Sequence, residues 1–400
     1  MSRATDTEND DIPFGRPCIG AEEEQAVLRV LRSGWLTTGR ECSSFEAEFA
    51  EMVGVPHAVA VSSATAGLHL ALEAFGIGPG DRVVTTPLTF AATGEVICAL
   101  GAEPVFADID PQTGNICPAA AAEAIARSKA KALIPVHMGG LTCDMEGLRA
   151  AAAKHGCIII EDAAHSLPAC TSEGYAGALA DAGVYSFYAN KNITTGEGGM
   201  IVTGSADAAA RMRLMRNHGI DREVWQRYTA TRASWRYDIA AAGFKYNMPD
   251  LAAAIGRVQL RKVHHLNAIR RTIADRYRRG FADSSFLQLP PEAADHSYHL
   301  FQIRIIPDTL KIDRDRFIME LQERGIGVSV HFIPLHTMSY YRQRFGYSPE
   351  DYPAAMNWFE RCISLPIYPD LKESQVERII TAVNIIGSTF RAEQEAPFWV

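Results

Sequence analysis

The sequence has no uninterrupted run of about 18 apolar residues, so we expect no membrane-spanning helix. The first residues, MSRATDTENDD, are polar and acidic and lack the basic start and apolar stretch of a signal peptide. The eight cysteines are scattered, without a CxxC pair or a Cys/His spacing typical of zinc. We therefore predict reduced thiols, no metal site and a cytoplasmic protein.

An excess of positive charge is also missing. The chain has 39 Lys and Arg against 47 Asp and Glu, which gives a formal net charge of −8. Nucleic acid is therefore not predicted as a partner. The basic cluster in RRTIADRYRRG (270–280) recurs at helical spacing, which is typical of a solvated helix face. No GxGxxG motif follows the first predicted strand, which argues against a nicotinamide-dependent Rossmann enzyme.

Short apolar segments alternate with alanine-rich helical segments over residues 57–205. This alternation predicts an α/β fold with a mostly parallel seven-stranded sheet and helices on both faces. The predicted strands are 57–63, 82–87, 103–109, 131–137, 157–164, 183–187 and 200–204. Polar residues that follow these strands should converge at one edge of the sheet, where open α/β sheets bind ligands.

The pattern changes after residue 249. The predicted elements are then a long helix at 250–280, a strand at 296–306, a helix at 313–325, a strand at 328–334 and a helix at 373–386. This order predicts a smaller α+β domain. The expected parts of the chain are a disordered arm (1–12), a large domain (13–249), and a connecting helix with the small C-terminal domain (250–400).

The most informative segment is SFYANKNITTGEGGMIVT (186–203). Lys191 lies just past a predicted strand end and precedes the glycine-rich turn TGEGG. A lysine held at such a position can form a Schiff base with an aldehyde cofactor. The glycines permit a tight turn and a close approach of the backbone to a ligand. An ordinary surface lysine in a loop is the alternative.

A second segment, IIIEDAAHS (158–166), is an apolar strand that ends in two acids, only one of which faces a given side. Pyridoxal phosphate (PLP) needs a carboxylate against its pyridine nitrogen, because the protonated ring then accepts electrons from the substrate α-carbon. Asp162 fits this role, and His165 is placed to contact the ring or its 3′-oxygen. The alternative for Asp162 is a helix N-terminal cap.

Two further segments follow strand ends. In VSSATAGLHLAL (61–72), small hydroxyl residues precede a helix whose first N–H groups and dipole favour a phosphate. Ser63, Thr65 and the backbone of Ala66 are the candidates, with plain helix capping as the alternative. In TTPLTFAAT (85–93), Phe90 is placed to stack on a cofactor ring, although an isolated Phe is more often part of a core. Together the four segments supply the groups that PLP requires.

In this order the segments resemble the DegT/DnrJ/EryC1/StrS family of sugar aminotransferases over nearly the whole chain. The matching blocks include RSGWLTTG (32–39), SSATAGLHLAL, EDAAHS, SFYANKNITTGEGGM, GFKYNMPD (243–250) and VHFIPLH (330–336). The resemblance implies the PLP-dependent transferase fold-type I, which is aspartate aminotransferase-like, with PLP bound in the large domain.

The resemblance also implies roles for individual residues. The cofactor residues are Lys191 (Schiff base), Asp162 (pyridine nitrogen), His165 (3′-oxygen), Thr65, Ala66 and Ser186 (phosphate) and Phe90 (ring stacking). His331 matches a histidine at the mouth of the active site. Burial and the cofactor charge should leave Lys191 deprotonated enough to act as a base, and Asp162 should be ionised.

The chain departs from the common family pattern at three positions. Ala64, in the phosphate-binding turn, stands where the family often has Gly, and it should be tolerated if its φ is negative. Tyr188 stands where many members have His, and Lys245 where many have Asn; we assign both, with His331, to substrate binding. The resemblance implies a homodimer in which a polar residue of one subunit completes the other's phosphate site. We assign Asn247 to this role, with Lys245 as the alternative.

The implied activity is transfer of an amino group from glutamate to the keto group, preferentially at C4, of a UDP- or dTDP-linked keto-deoxy sugar. Ping-pong kinetics should follow, with pyridoxamine phosphate as the intermediate form of the cofactor. A 3-keto sugar or a keto-cyclitol stays open as the acceptor. The intact Lys191 argues against a PLP-dependent sugar dehydratase, and the intact pair of Lys191 and Asp162 argues against a non-catalytic regulator.

Overall fold

Strands rich in Val, Ile and Ala form the centre of the molecule, because a sheet covered on both faces needs apolar residues on both. The computed structural model of the protein describes residues 11–221 and 236–392. The strands are β1 (His57–Val61), β2 (Arg82–Thr85), β3 (Glu103–Phe106), β4 (Ala132–Ile134), β5 (Ile158–Asp162), β6 (Cys170–Thr171), β7 (Gly174–Tyr175), β8 (Ala182–Ser186), β9 (Gly199–Thr203), β10 (Leu287–Gln288), β11 (Phe301–Ile305) and β12 (Cys362–Leu365). The α-helices are α1 (Ala21–Ser33), α2 (Arg40–Val53), α3 (Ala64–Ala74), α4 (Ala91–Ala99), α5 (Pro118–Ser128), α6 (Met145–Ala153), α7 (Ala206–Met215), α8 (Asp250–Gly280), α9 (Arg314–Glu323), α10 (Ser339–Phe345), α11 (Pro353–Arg361) and α12 (Glu373–Thr389).

Seven strands form one sheet in the order β1-β9-β8-β5-β4-β2-β3. β9 runs antiparallel to both of its neighbours, and the other neighbouring strands are parallel. The predicted mostly parallel seven-stranded sheet is confirmed, and each of the seven predicted segments overlaps one of these strands. The parallel strands bring their carboxyl ends, among them Val61, Asp162 and Ser186, to one edge of the sheet.

Helices cover both faces of this sheet, as predicted. Successive side chains of a strand point to opposite faces. Val59 of β1 accordingly packs in the same core cluster as Leu68 of α3. Its neighbour Ala58 belongs to a different cluster, which contains Phe45 of α2.

A second, antiparallel sheet consists of β10, β11 and β12. Its core includes Phe301, Phe317 of α9 and Tyr277 from the second half of α8. The first half of α8 packs elsewhere: Ala254 and Val258 lie in a cluster with residues of α1. α8 has the predicted bounds and contributes to both cores, so the proposed division of the chain at residue 250 falls at the start of a shared helix.

Ile12 belongs to the core around the second sheet, although the sequence assigned it to a disordered arm. Its N–H donates to the carbonyl oxygen of Gly325 over 2.7 Å, and the N–H of Gly327 donates to the Ile12 carbonyl over 2.8 Å. A single apolar residue before Pro13 carries no periodic signal, so this placement depends on a contact that is distant in sequence. The rest of the predicted arm, residues 1–10, lies outside the described residues.

The strand predicted at 328–334 is wrong. Only Ser329 pairs there, in a single bridge to Ser364 of β12, and a short 3-10 helix follows at Leu335–Thr337. Pro334 has no N–H with which to continue the pairing. The strand predicted at 296–306 begins only at Phe301. Both segments instead carry histidines toward the ligand edge of the large sheet.

None of the helices in the two described parts of the chain is long and apolar enough to cross a membrane. All eight cysteines are free thiols. Within residues 11–221 and 236–392, no group of three or more His, Cys, Asp or Glu side chains is arranged to hold a metal ion.

Arg270 of α8 is 3% exposed, so the expectation of a solvated basic face is wrong at this residue. Its guanidinium donates to the carbonyl oxygens of Ile367 over 2.6 Å, Tyr298 over 3.4 Å and His299 over 3.5 Å. Buried carbonyl groups need such partners. Arg270 therefore joins the helix to the segment that precedes β11.

Replacing Arg270 with Met should lower the free energy of unfolding by about 3 kcal/mol, because the apolar stem stays while buried carbonyls lose their donor. Arg279 lies on the same helix and is exposed, so Arg279→Met should change this free energy by less than about 0.5 kcal/mol. Urea denaturation of both variants tests the difference. Equal losses would show that Arg270 has no special structural role.

Candidate active site

The ends of β5 and β8 bring a lysine and a carboxylate together. Lys191 lies in the turn after β8, where its N–H donates to the carbonyl oxygen of Tyr188 over 3.0 Å. Burial lowers the pKa of Lys191 to about 8, and the charge of Asp162 at the end of β5 opposes this shift. About a tenth of the amine is then neutral at pH 7, compared with a negligible fraction for an ordinary lysine.

Asp162 is 6% exposed and accepts two hydrogen bonds. Its Oδ2 accepts from Thr93 Oγ1 over 2.8 Å, and its Oδ1 accepts from the N–H of Ala164 over 3.2 Å. Burial raises the pKa of Asp162, while these hydrogen bonds and the charge of Lys191 lower it. A turn rather than a helix follows β5, so the helix-capping alternative for Asp162 does not apply.

A chain of hydroxyl groups lies behind this carboxylate. Because the hydroxyl hydrogen of Thr93 goes to Asp162, the Thr89 hydroxyl, 2.7 Å from Thr93 Oγ1, must donate to Thr93. Sequence reasoning chose Phe90 from this segment and missed Thr93. The only signal for Thr93 is a second threonine four residues earlier, Thr89, which lies just before the N-cap of α4.

Three histidines lie close to Lys191. The rings of His165 and His299 are 4.4 Å apart, and His331 Nδ1 lies 2.8 Å from Ser364 Oγ. Burial is the main cause that lowers the pKa of each histidine, and the positive charge of Lys191 lowers it further. The pKa of His331 is lowered to about 4, and those of His165 and His299 lie well below the ordinary value. All three imidazoles are therefore neutral at pH 7. Sequence reasoning missed His299.

His165 has an unusual feature. Its Nδ1 is buried and has no hydrogen-bond partner among the described residues. Buried polar atoms in proteins are nearly always paired, so this nitrogen marks a place where a bound molecule would complete the site.

The predicted phosphate cradle is the start of α3. Ser63 caps this helix, because its Oγ accepts the N–H of Ala66 over 3.1 Å. The preceding N–H groups, at Ala64 and Thr65, have no partner within the helix and point out of its positive end. Ala64 is not among the residues with positive φ. Its methyl group is therefore tolerated, as expected.

The glycine-rich turn after Lys191 packs against this cradle. Gly196 has φ +81°, which suits glycine. A Cβ on Gly199 would lie 2.7 Å from the backbone nitrogen of Ala64 and from the carbonyl carbon of Ser63. Gly199 thus lets the lysine turn approach the start of α3 closely, in addition to any approach to a ligand. This contact holds the lysine turn next to the cradle.

Three other predicted residues line the mouth of the site. Ser186 Oγ accepts the N–H of Tyr188 over 3.3 Å, and Tyr188 is 48% exposed. Phe90 is 61% exposed, so the alternative of a core residue is wrong. The Phe90 ring lies 6.0 Å from that of Phe332, which in turn stacks 6.0 Å from His165.

The chain matches the model of the DegT/DnrJ/EryC1/StrS aminotransferase family over residues 17–384. It belongs to that family. The spore coat polysaccharide biosynthesis protein SpsC of Bacillus subtilis is 44% identical over 381 residues, which cover 94% of this chain and 97% of that protein.

Solved structures of this aminotransferase family have the same fold. Spr1654 from Streptococcus pneumoniae in its PMP form has a TM-score of 0.89 and 31% identity, covering 95% of this chain and 100% of that one. Its PLP form has a TM-score of 0.87. Helicobacter pylori PseC, an aminotransferase involved in the biosynthesis of pseudoaminic acid, has a TM-score of 0.88 and 29% identity, covering 95% of this chain and 100% of that one. The chain is a fold-type I sugar aminotransferase that uses PLP and its pyridoxamine form.

The residues of the aminotransferase site fit PLP. A buried carboxylate, Asp162, is oriented by two hydrogen bonds at the ligand edge. Lys191 has a lowered pKa, and the Nδ1 of His165 lacks a partner within the described residues. These groups match the needs of a protonated pyridine, an aldehyde and a ring oxygen.

Two predicted residues lie apart from this cluster. Asn247 Nδ2 donates to Thr38 Oγ1 over 2.7 Å, and Lys245 is exposed. Asn247 lines a separate cleft of about 720 Å³ that includes Arg40 and Arg216 but neither Lys191 nor Asp162.

Replacing Thr93 with Val removes a hydrogen bond that lowers the pKa of Asp162, so this pKa should rise. PLP should then bind about ten-fold more weakly, since a hydrogen bond to a charged group contributes about 1.5 kcal/mol or more. The loss should grow as pH falls, because less of the carboxylate is ionised below its raised pKa. Absorbance titration with PLP at several pH values measures it. Thr93→Ser keeps the hydroxyl and should bind as the wild type does; equal weakening in both variants would contradict the assignment.

Proposed function

We propose that this aminotransferase moves an amino group from glutamate to the C4 keto group of a UDP- or dTDP-linked keto-deoxy sugar. The observation that carries the proposal is a Lys191 amine of lowered pKa beside the oriented carboxylate of Asp162. Proton transfer at the α-carbon of an amino acid needs a base whose pKa lies near the working pH.

PLP, when bound, supplies a protonated ring that accepts the electron pair released at the donor α-carbon. With PLP bound, Lys191 would hold the cofactor through Nζ and would accept the donor's α-proton at the same atom. Asp162 keeps a proton on the pyridine nitrogen, and Thr93 orients Asp162. The three neutral histidines add no positive charge beside Asp162, whose charged neighbours are Lys191 and His137.

We assign the remaining cofactor contacts to side chains and N–H groups near the ligand edge of the sheet. Thr65, Ser186 and the N–H groups of Ala64 and Ala66 surround the phosphate, with Ala66 sharing its N–H with Ser63. His165 contacts the 3′-oxygen. Phe90, which is exposed at the mouth, stacks on the ring.

The segment 243–247 supports a homodimer with shared sites. The Phe244 and Tyr246 rings stack 5.1 Å apart, and both approach His69 of α3. Strand-like alternation directs Lys245 to the opposite side, where it is exposed. Asn247 is already bonded within its own subunit. Lys245 is therefore the better candidate to reach the neighbouring subunit's phosphate.

The substrate assignments rest on the mouth of the site and on the neighbouring cleft. His331 and Tyr188 contact the sugar. The cleft beside Asn247 includes Arg40 and Arg213, whose positive charge suits the diphosphate of a nucleotide sugar. Arg216 also lines the cleft but is paired with Glu46. The blocks VHFIPLH and GFKYN resemble those of relatives that aminate C4.

The names of the relatives support the setting. SpsC is a spore coat polysaccharide biosynthesis protein, and PseC is involved in the biosynthesis of pseudoaminic acid. We propose that this chain likewise serves polysaccharide or deoxysugar biosynthesis. Its eight free thiols support a reducing, cytoplasmic location. One site that serves donor and acceptor in turn implies ping-pong kinetics.

The Lys191→Ala variant should lose the visible absorbance band of bound PLP, because no amine remains at the position that holds the aldehyde. Borohydride reduction of the PLP-loaded wild type, followed by peptide mass spectrometry, should locate the cofactor on the peptide that contains Lys191. Finding it on another lysine would contradict the assignment.

Mixed dimers test whether Lys245 acts across the interface. Lys191→Ala and Lys245→Glu should each be inactive, the second because a carboxylate repels the phosphate. Co-expression of the two should restore about a quarter of wild-type activity, because half of the randomly paired dimers are mixed and each of these has one intact site. If Lys245 acted within its own subunit, each site would carry a defect and co-expression would restore nothing.

The acceptor is tested with ¹⁵N-glutamate and a panel of UDP- and dTDP-linked 4-keto-6-deoxy sugars, 3-keto sugars and keto-cyclitols. Mass spectrometry should find ¹⁵N in a 4-amino sugar nucleotide. Labelling of a 3-keto sugar or a cyclitol alone would overturn the C4 assignment. Loss of a hydroxyl group without ¹⁵N incorporation would indicate a dehydratase.

A further inference from the structure

Asn192, the residue after Lys191, is 7% exposed and bonds to two other segments of the chain. Its Nδ2 donates to the carbonyl oxygens of Leu167 over 2.7 Å and Ser297 over 3.3 Å. Its Oδ1 lies 3.3 Å from His299 Nδ1. A flipped amide would set Oδ1 against two carbonyl oxygens, so the network fixes the amide orientation.

The amide orientation fixes the tautomer of His299. Asn192 Oδ1 can only accept, so His299 Nδ1 must carry the proton and Nε2 keeps its lone pair. The titratable groups that face His299 are Lys191 and His165 from the large-sheet loops, Arg270 from α8, and His331. None of them is acidic, so none favours a second proton on His299.

His299 in turn supports His165. Their rings lie 4.4 Å apart and are tilted by 36°. The same segment also holds the backbone of His165, because Ser297 Oγ donates to the His165 carbonyl oxygen over 2.7 Å. Asn192 therefore connects the lysine turn to the segment that sets the place of the His165 ring.

We propose that Asn192 and His299 are a pair of positioning residues, which keep His165 and Lys191 in fixed relation by holding His299 in its Nδ1–H tautomer. This proposal rests on the roles given above to Lys191 and His165. Neither member of the pair needs to touch the reacting atoms. Their effect passes through the His165 ring and through the turn that carries Lys191.

The chain offers a matched control. Asn267 is also 7% exposed, and its Nδ2 donates to the same Ser297 carbonyl oxygen over 2.5 Å. It bonds to neither His299 nor the lysine turn. Asn192→Ala and Asn267→Ala thus each remove a buried amide from the Ser297 carbonyl, and Asn192→Ala also removes the donor to Leu167. Only Asn192→Ala removes the acceptor for His299. His299→Phe keeps a ring beside His165 and removes the Nδ1–H.

The first readout uses the protein without PLP. Long-range ¹H–¹⁵N spectra of ¹⁵N-histidine-labelled protein, assigned with His299→Phe, report which ring nitrogen is protonated. His299 should be the Nδ1–H tautomer in the wild type and in Asn267→Ala, and it should lose that preference in Asn192→Ala. A wild-type His299 with its proton on Nε2 would overturn the proposal.

The second readout uses the PLP-loaded enzyme. Asn192→Ala and His299→Phe should shift the pH midpoint of the visible absorbance band. They should also lower kcat with glutamate by roughly 100-fold with little change in KM, as expected for a misplacement of about 1 Å. Asn267→Ala should keep the wild-type midpoint and stay within about three-fold of the wild-type kcat, even if it melts at a lower temperature.

The two proposals fail in different ways. Asn192→Ala and His299→Phe could instead lower only the melting temperature and keep the pH midpoint and kcat of Asn267→Ala. The pair would then have a purely structural role, and this inference would be wrong. If the wild type itself gives no visible band with PLP, the proposed roles of Lys191 and His165 are wrong. The histidine spectra then still decide the tautomer on which the pair depends.

Discussion

The amine of Lys191 and the carboxylate of Asp162 are buried near each other, and the rest of the site depends on this pairing. Burial favours the neutral form of each group, and their mutual attraction favours the charged forms. The balance leaves the pKa of Lys191 at about 8 and that of Asp162 raised. His165, His299 and His331 are neutral and add no positive charge, so a protonated pyridine would join Lys191 and His137 in stabilising the ionised form of Asp162.

The fold provides this pairing through direct contacts between neighbouring elements. β5 and β8 pair in parallel, so Asp162 and the turn after Ser186 come to one edge. Gly199 lets the lysine turn lie against the start of α3. Arg270 extends the support to the rest of the molecule, since it joins the helix shared by both cores to the carbonyls of Tyr298 and His299.

Much of this could be predicted from the sequence, because buried parallel strands and a long amphipathic helix leave strong local patterns. The seven strands, α8, and the strand ends that carry Lys191 and Asp162 are of this kind. The errors at Ile12, Arg270 and the segment 328–334 share a cause: their environment is set by residues far away in sequence. Thr93, Asn192 and His299 were missed for the same reason, since each acts through a hydrogen bond or a ring contact that no local spacing specifies.

The most direct test of the account is the absorbance spectrum of the wild-type protein loaded with PLP, recorded before and after glutamate is added. The account predicts a visible band that glutamate converts to the shorter-wavelength absorbance of the pyridoxamine form, with release of one 2-oxoglutarate per site. A band that does not respond to glutamate would contradict the proposed donor. The absence of any band would contradict the assignment of Lys191 and Asp162 as the centre of the site.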